Sequence, residues 1–219
     1  MSTALYTQLL DLSCGAFLLA AVLILWRRQL AAFIRLFAAQ GIALAAVAAL
    51  LSAHEQRWDL LGVAVLIAVL RAWLLPHLMR RALTAGGETH ETEPLVNVTA
   101  SLLTAAVLTL LAYAVTRPLT DLAPSPATRA LPIGLAVVLI GFFTLATRRR
   151  ALSQVVGFLL IDNGITAVAF LATSGVPLIV ELGVSFDVLF AVLVLQVLTA
   201  RMRAAFGGTD LDDLRELHD

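Results

Sequence analysis

The sequence predicts an all-α polytopic membrane protein of about seven transmembrane helices, and three observations carry that prediction. Apolar stretches near 20 residues long recur along the chain, each long enough to cross a hydrocarbon core of roughly 30 Å as a helix. Hydrophobic residues make up 60% of the 219 and charged residues 14%, with a mean hydropathy of +0.94. The arginines gather on alternate breaks between the stretches, as the positive-inside rule expects.

The spans read as roughly 5–26, 30–52, 59–79, 95–116, 130–147, 151–173 and 176–200. The breaks at 54–59, 84–94, 117–129, 148–150 and 173–177 hold charges, Gly or Pro. The first span is followed by others and lacks a small-residue cleavage site after it, so it reads as a retained helix and not a signal peptide. It carries Asp11 and Ser13 near its outer end, where polar groups reach the interface. Gln40 in the second span reads as an interhelical hydrogen bond.

The third span places Arg71 about two turns before Pro76 and His77. Arg71 either snorkels to the inner headgroups or turns inward to a buried carboxylate. Its position well before Arg80 and Arg81 sets the expectation that it faces protein, within reach of an acid in this chain or a neighbour. His77 has a pKa suited to proton transfer, although its position beside Arg80 and Arg81 suits the interface. Pro76 is expected to kink or end the helix.

Glu88, His90, Glu91 and Glu93 cluster in the next break and read as a solvated acidic loop. Residues 117–129, with Pro118, Pro124 and Pro126, read as an extended outer connector, followed by Pro132. That connector divides a four-helix part (1–129) from a three-helix part (130–206), and a tail (207–219) follows. The tail has Leu211, Leu214 and Leu217 at spacing three, with Thr209 or Asp210 available as an N-cap, and suits docking to a soluble partner.

With seven spans the loops alternate sides. Twelve arginines, from Arg27, Arg28 and Arg35 to Arg201, Arg203 and Arg215, fall on or beside one side; only Arg57, Arg117 and Arg129 fall on the other. The N-terminus is therefore expected outside and the C-terminus in the cytoplasm. All 15 basic residues are arginine, the net charge is zero, and no basic block suggests nucleic acid. A single cysteine, Cys14, excludes an internal disulfide and any Cys-based metal or iron–sulfur site.

Residues 148–203 carry the candidate site. Asp162 lies in the sixth span, and Glu181 and Asp187 lie in the seventh. A carboxylate at membrane depth is costly and usually functional. Asp162 is 12 residues from Arg150, and Asp187 is 14 from Arg201. At about 1.5 Å per residue both lie near mid-membrane, with Glu181 about 9 Å further toward the opposite surface. Three acids at two depths suggest a hydrated proton route. Asn163 and Thr166 add groups able to hold water. Gly157 and Gly164 permit close helix packing, within this chain or against other subunits.

This stretch resembles the K subunit of respiratory complex I and the C subunit of multisubunit cation/proton antiporters. That family has an arginine pair, a span with I-G-L-E-(x)3-N and a following span with a central glutamate. Here the first motif reads V-G-F-L-L-I-D-N: Gly157 and Asn163 match, Leu159 takes the glutamate's place, and the acid appears at Asp162. That is about 4.5 Å along the axis and 60° around it. In V-E-L-G, Glu181 is the natural counterpart of the second acid, whereas depth favours Asp187.

Over essentially its full length the chain resembles the hydrogenase-4 component E family, through L-L-P-H-L-M-R-R, D-N-G-I, P-x-x-V-E-L-G-V-x-x-D and the Leu-rich acidic tail. The resemblance implies a non-catalytic subunit of a complex I-like membrane-bound hydrogenase in a bacterial or archaeal cytoplasmic membrane. Asp162, Glu181 and Asp187 would relay protons, with Arg71 or His77 as partners. The NiFe and iron–sulfur centres would sit on partner subunits, with no cofactor in this chain. Its neighbours would be lipid, antiporter-like and quinone-site-type membrane subunits, and soluble hydrogenase-type subunits on the cytoplasmic side. Two other readings remain open: a subunit of a cation/proton antiporter or inorganic-carbon uptake complex, and a structural membrane anchor.

Overall fold

The structure is a computed structural model that describes residues 2–27, 29–86, 96–148 and 151–173. Its regular elements are helices: α1 (Thr3–Trp26), α2 (Leu30–Glu55), α3 (Trp58–Ile67), a π-helical segment (Ala68–Leu74), α4 (Leu75–Gly86), α5 (Val98–Leu122), α6 (Pro126–Thr147) and α7 (Ala151–Thr173). The third span is continuous from α3 through the π segment into α4. Six helical stretches among the described residues are long and apolar enough to cross a membrane. The expected seventh span, with Glu181 and Asp187, lies outside the described residues, as do the tail and the Glu88–His90–Glu91–Glu93 cluster.

Local sequence chemistry starts and stops these helices. Ser2 caps α1 by accepting from the Leu5 N–H, and Asn97 caps α5 by accepting from the Ala100 N–H at 2.8 Å. Helix α2 ends where Gln56 turns left-handed at φ 55°. The Ser52 hydroxyl then donates to the Arg57 carbonyl at 2.8 Å and closes the turn. Arg57 pairs with Asp59, an exposed pair that water screens; this neighbour holds the Arg57 guanidinium above its ordinary pKa.

Residues 117–129 are not the extended connector the prolines suggest. Helix α5 runs through Pro118 to Leu122, and only residues 123–125 separate it from α6. Pro126 occupies the first position of α6, where a missing N–H costs nothing and the fixed φ is already helical. Ser125 and Thr128 form a reciprocal cap around it. The Ser-Pro-x-Thr run is thus a helix start. Nor does Pro76 end the third span, because the helix continues to Gly86.

Helix α2 is the centre of the bundle, touching α1, α3, the π segment, α4 and α7. Helix α6 links α7 to α5 and α1. The α6–α7 pair approaches closely because glycine faces backbone: a Cβ at Gly141 would fall 2.8 Å from the Ile161 nitrogen, and one at Gly164 would fall 2.7 Å from the Val138 nitrogen. Gly157, opposite Leu145, is part of the same intrachain seam. At the far end of that seam the buried Arg148 side chain donates to the Leu25 carbonyl at 3.0 Å and lies over the Phe33 ring. A cation at the carbonyl end of α1 complements the helix dipole.

Candidate buried charge site

Asp162 is the middle residue of α7, with 11 residues on either side, so its Cα lies about 16 Å from each end of the helix. The α6 seam fixes the rotation of α7 by placing Gly157 and Gly164 against α6. Asn163 and Thr166 then face α2 and the π segment, with Asp162 beside them on the same side of the helix. Arg71 reaches this point from the π segment.

The geometry is compact. Arg71 Nη1 lies 2.9 Å from Asp162 Oδ2. The same Nη1 donates to Asn163 Oδ1 at 2.6 Å, and Nη2 donates to Thr166 Oγ1 at 3.0 Å. Asn163 Nδ2 donates in turn to Gln40 Oε1 at 2.9 Å. Gln40 Nε2 donates to the Phe17 carbonyl at 3.4 Å. Five side chains and one carbonyl therefore join α1, α2, the π segment and α7 at mid-bundle. Arg71 is 1% exposed and the Asp162 side chain 12%, so this pair is not at the surface.

The π segment positions Arg71. The Leu75 N–H bonds to the Leu70 carbonyl, five residues back. Pro76 follows immediately and cannot donate to the turn behind it. An inserted residue re-aims side chains, and such turns recur at functional sites. Gly41 on α2 allows the approach: a Cβ there would meet the Arg71 carbonyl carbon at 2.8 Å.

The network has a simple electrostatic property. An isolated buried guanidinium is prohibitively costly, and Asp162 supplies the opposite charge. Asn163 and Thr166 hold the guanidinium through neutral oxygens as well. Loss of the Asp162 charge would leave Arg71 on those two neutral acceptors, at the cost of a buried cation without its counter-charge. Other buried threonines lack this role. Thr116 and Thr144 donate back to the carbonyls of Ala112 and Ile140 in their own helices.

Of the sequence-predicted residues, the structure brings together Arg71 and Asp162, with Arg71 turned inward. It does not bring in His77, which is exposed on α4 and stacks on Trp73 with centroids 6.1 Å apart. Asn163 and Thr166, read as water-holding groups, instead hold Arg71. Gln40 does make interhelical hydrogen bonds, to Asn163 and to the Phe17 carbonyl. The signal for Gln40 was a lone amide in an apolar span, but nothing local revealed its partners. Among the described residues no group of three His, Cys, Asp or Glu stands together as a metal site.

Over 220 residues, covering all of both chains, the sequence is 51% identical to the Mycobacterium tuberculosis protein described as "Uncharacterized protein Rv0085". It is 26% identical over 181 residues to hydrogenase-4 component E of Escherichia coli, spanning 83% of this chain and 84% of that one. The match to hydrogenase-4 component E of Shigella flexneri has the same extent. No family model matches, and no solved structure matches.

Proposed function

The chain belongs to the family of the Mycobacterium tuberculosis protein Rv0085, and we propose that it is a non-catalytic membrane subunit of a complex I-like hydrogenase in which Asp162 carries protons at mid-membrane. The distant similarity to hydrogenase-4 component E and the six membrane-length helices support a subunit of a membrane hydrogenase complex. The observation that carries the proton role is the Arg71–Asp162 pair, buried halfway along α7 with the arginine also held by Asn163 and Thr166. In this reading a proton arrives through water and bonds to an Asp162 oxygen, and Arg71 stays on its two neutral acceptors. The proton then leaves toward Glu181 or Asp187, and the Arg71–Asp162 ion pair re-forms. The NiFe and iron–sulfur centres belong to soluble partner subunits on the cytoplasmic side, and antiporter-like membrane subunits flank this one in the cytoplasmic membrane.

The test is Asp162→Asn in the assembled complex. The amide keeps size and hydrogen bonding but holds no titrating proton and leaves Arg71 without its counter-charge, so the chain should lose stability yet still assemble while proton translocation falls. Separate Glu181→Gln and Asp187→Asn variants identify the continuing acid. Normal assembly with full translocation in Asp162→Asn would instead leave the buried pair as a structural anchor.

A further inference from the structure

We infer that the outward face of α1 around Asp11 is an interface for a membrane-spanning helix of another subunit that presents an arginine or lysine to this carboxylate. This inference rests on assembly into a complex and is independent of any proton role for Asp162.

Asp11 lies eight residues into α1, about 12 Å from the start of the helix and about 22 Å from its end by the axial rise. At that depth Asp11 is further from the helix end than the interfacial position its sequence suggests, and a carboxylate side chain is too short to reach the headgroups as a lysine or arginine would. It is exposed, with no ion pair or hydrogen bond among the described residues. Its surroundings on that face are apolar: Leu12 is 69% and Leu19 57% exposed. An acid facing lipid at this depth is disfavoured, whereas one facing a cation on a neighbouring helix is stabilised.

Gly15, one turn along from Asp11, supplies the second observation. A Cβ at Gly41, Gly134, Gly141, Gly157 or Gly164 would run into the backbone of a neighbouring helix of this chain, but one at Gly15 meets nothing within 4 Å. Glycine weakens a helix interior relative to alanine, and packing among the described residues does not account for it here. Gly15 and the exposed Ala16 form a notch in which a second helix can approach closely. The acid and the notch lie on the same face, so a helix crossing the notch passes beside Asp11. The exposed Gln8, one turn before Asp11, adds a hydrogen-bonding group to the same edge.

The experiment places a photoreactive benzophenone amino acid at Leu12 of the full-length chain in native membranes. The expected adduct is with a different protein, through a membrane-spanning peptide that contains Arg or Lys. Asp11→Lys should lower the yield of that adduct and the copurification of that partner several-fold, with Asp11→Asn intermediate. Reversing the partner's cation to an acid should restore both. Thermal unfolding of the purified variants should match that of the parent chain, since Asp11 is outside the core. Adducts with lipid alone, adducts only between copies of this chain, or an Asp11→Lys chain that keeps full adduct yield would each overturn the inference. Loss of proton translocation in Asp162→Asn leaves this outcome unchanged, so the two proposals fail separately.

Discussion

Arg71 is worth most to this protein as a member of a set. Deleting one member of a buried ion pair leaves the other charge uncompensated and costs about 3–5 kcal/mol, while removing both is far less costly. Arg71→Gln should therefore destabilise the purified chain by about that amount in detergent unfolding, because Asp162 is left without its cation. Adding Asp162→Asn to the same chain should recover much of the loss. A double variant no more stable than Arg71→Gln alone would mean that Asp162 is not the principal partner. Thr166→Val keeps the shape and removes an acceptor, and should cost about 1–3 kcal/mol, the range for leaving a buried donor short of a partner. The conservative swap at Thr116, which bonds only within α5, should cost less.

At the scale of elements, the site depends on how closely three helices approach. Gly41 lies where a Cβ would meet the Arg71 backbone at 2.8 Å. Gly41→Val should push α2 off the π segment and lengthen the reach from Arg71 to Asn163. Overpacking of this kind costs about 1–3 kcal/mol, read as a fall in unfolding temperature. Gly15→Ala is the contrasting case: it adds a methyl to open space and should leave the isolated chain as stable or slightly more so. The third span shows the same dependence in its backbone. Pro76 removes a donor, the π segment precedes it, and the helix continues to Gly86, so the span is longer than its proline suggests.

For the whole molecule, the arginine distribution and the helix count make one joint prediction about orientation. With the N-terminus outside, the breaks at Arg27 and Arg148 and the break after Gly86 face the cytoplasm, while those at Arg57 and residues 123–125 face outward. Reporter fusions at Gly87 and Gly208 should both report a cytoplasmic location. A signal from outside at either position would break the alternation. Among the described spans helix α5 is the most peripheral: Leu103, Val107 and Leu110 are each more than 60% exposed. Its outer surface therefore belongs to lipid or a neighbouring chain.

The fold class was legible in the sequence because insertion into a membrane is decided locally: about 20 apolar residues with their ends marked by charge are sufficient. The six described spans fall where hydropathy places them, with ends extended by up to several residues at 122 and 86. The exceptional character of Asp162 and Arg71 was also legible, since a charge within an apolar span stands out whatever surrounds it. Which groups meet was not. Arg71 and Asp162 pair across 91 positions of sequence, and either could have faced lipid, solvent or another acid. That choice depends on the rotation of each helix about its axis, set here by the α6–α7 glycine seam, the Gly41 contact and the π segment ahead of Pro76. His77, a plausible partner by sequence, is turned outward by that rotation, and Gln40, an ordinary polar residue by sequence, is turned into the network. Membrane insertion follows from the summed hydropathy of a segment, whereas a buried charge site follows from distances of a few ångströms between helices, which only tertiary packing determines.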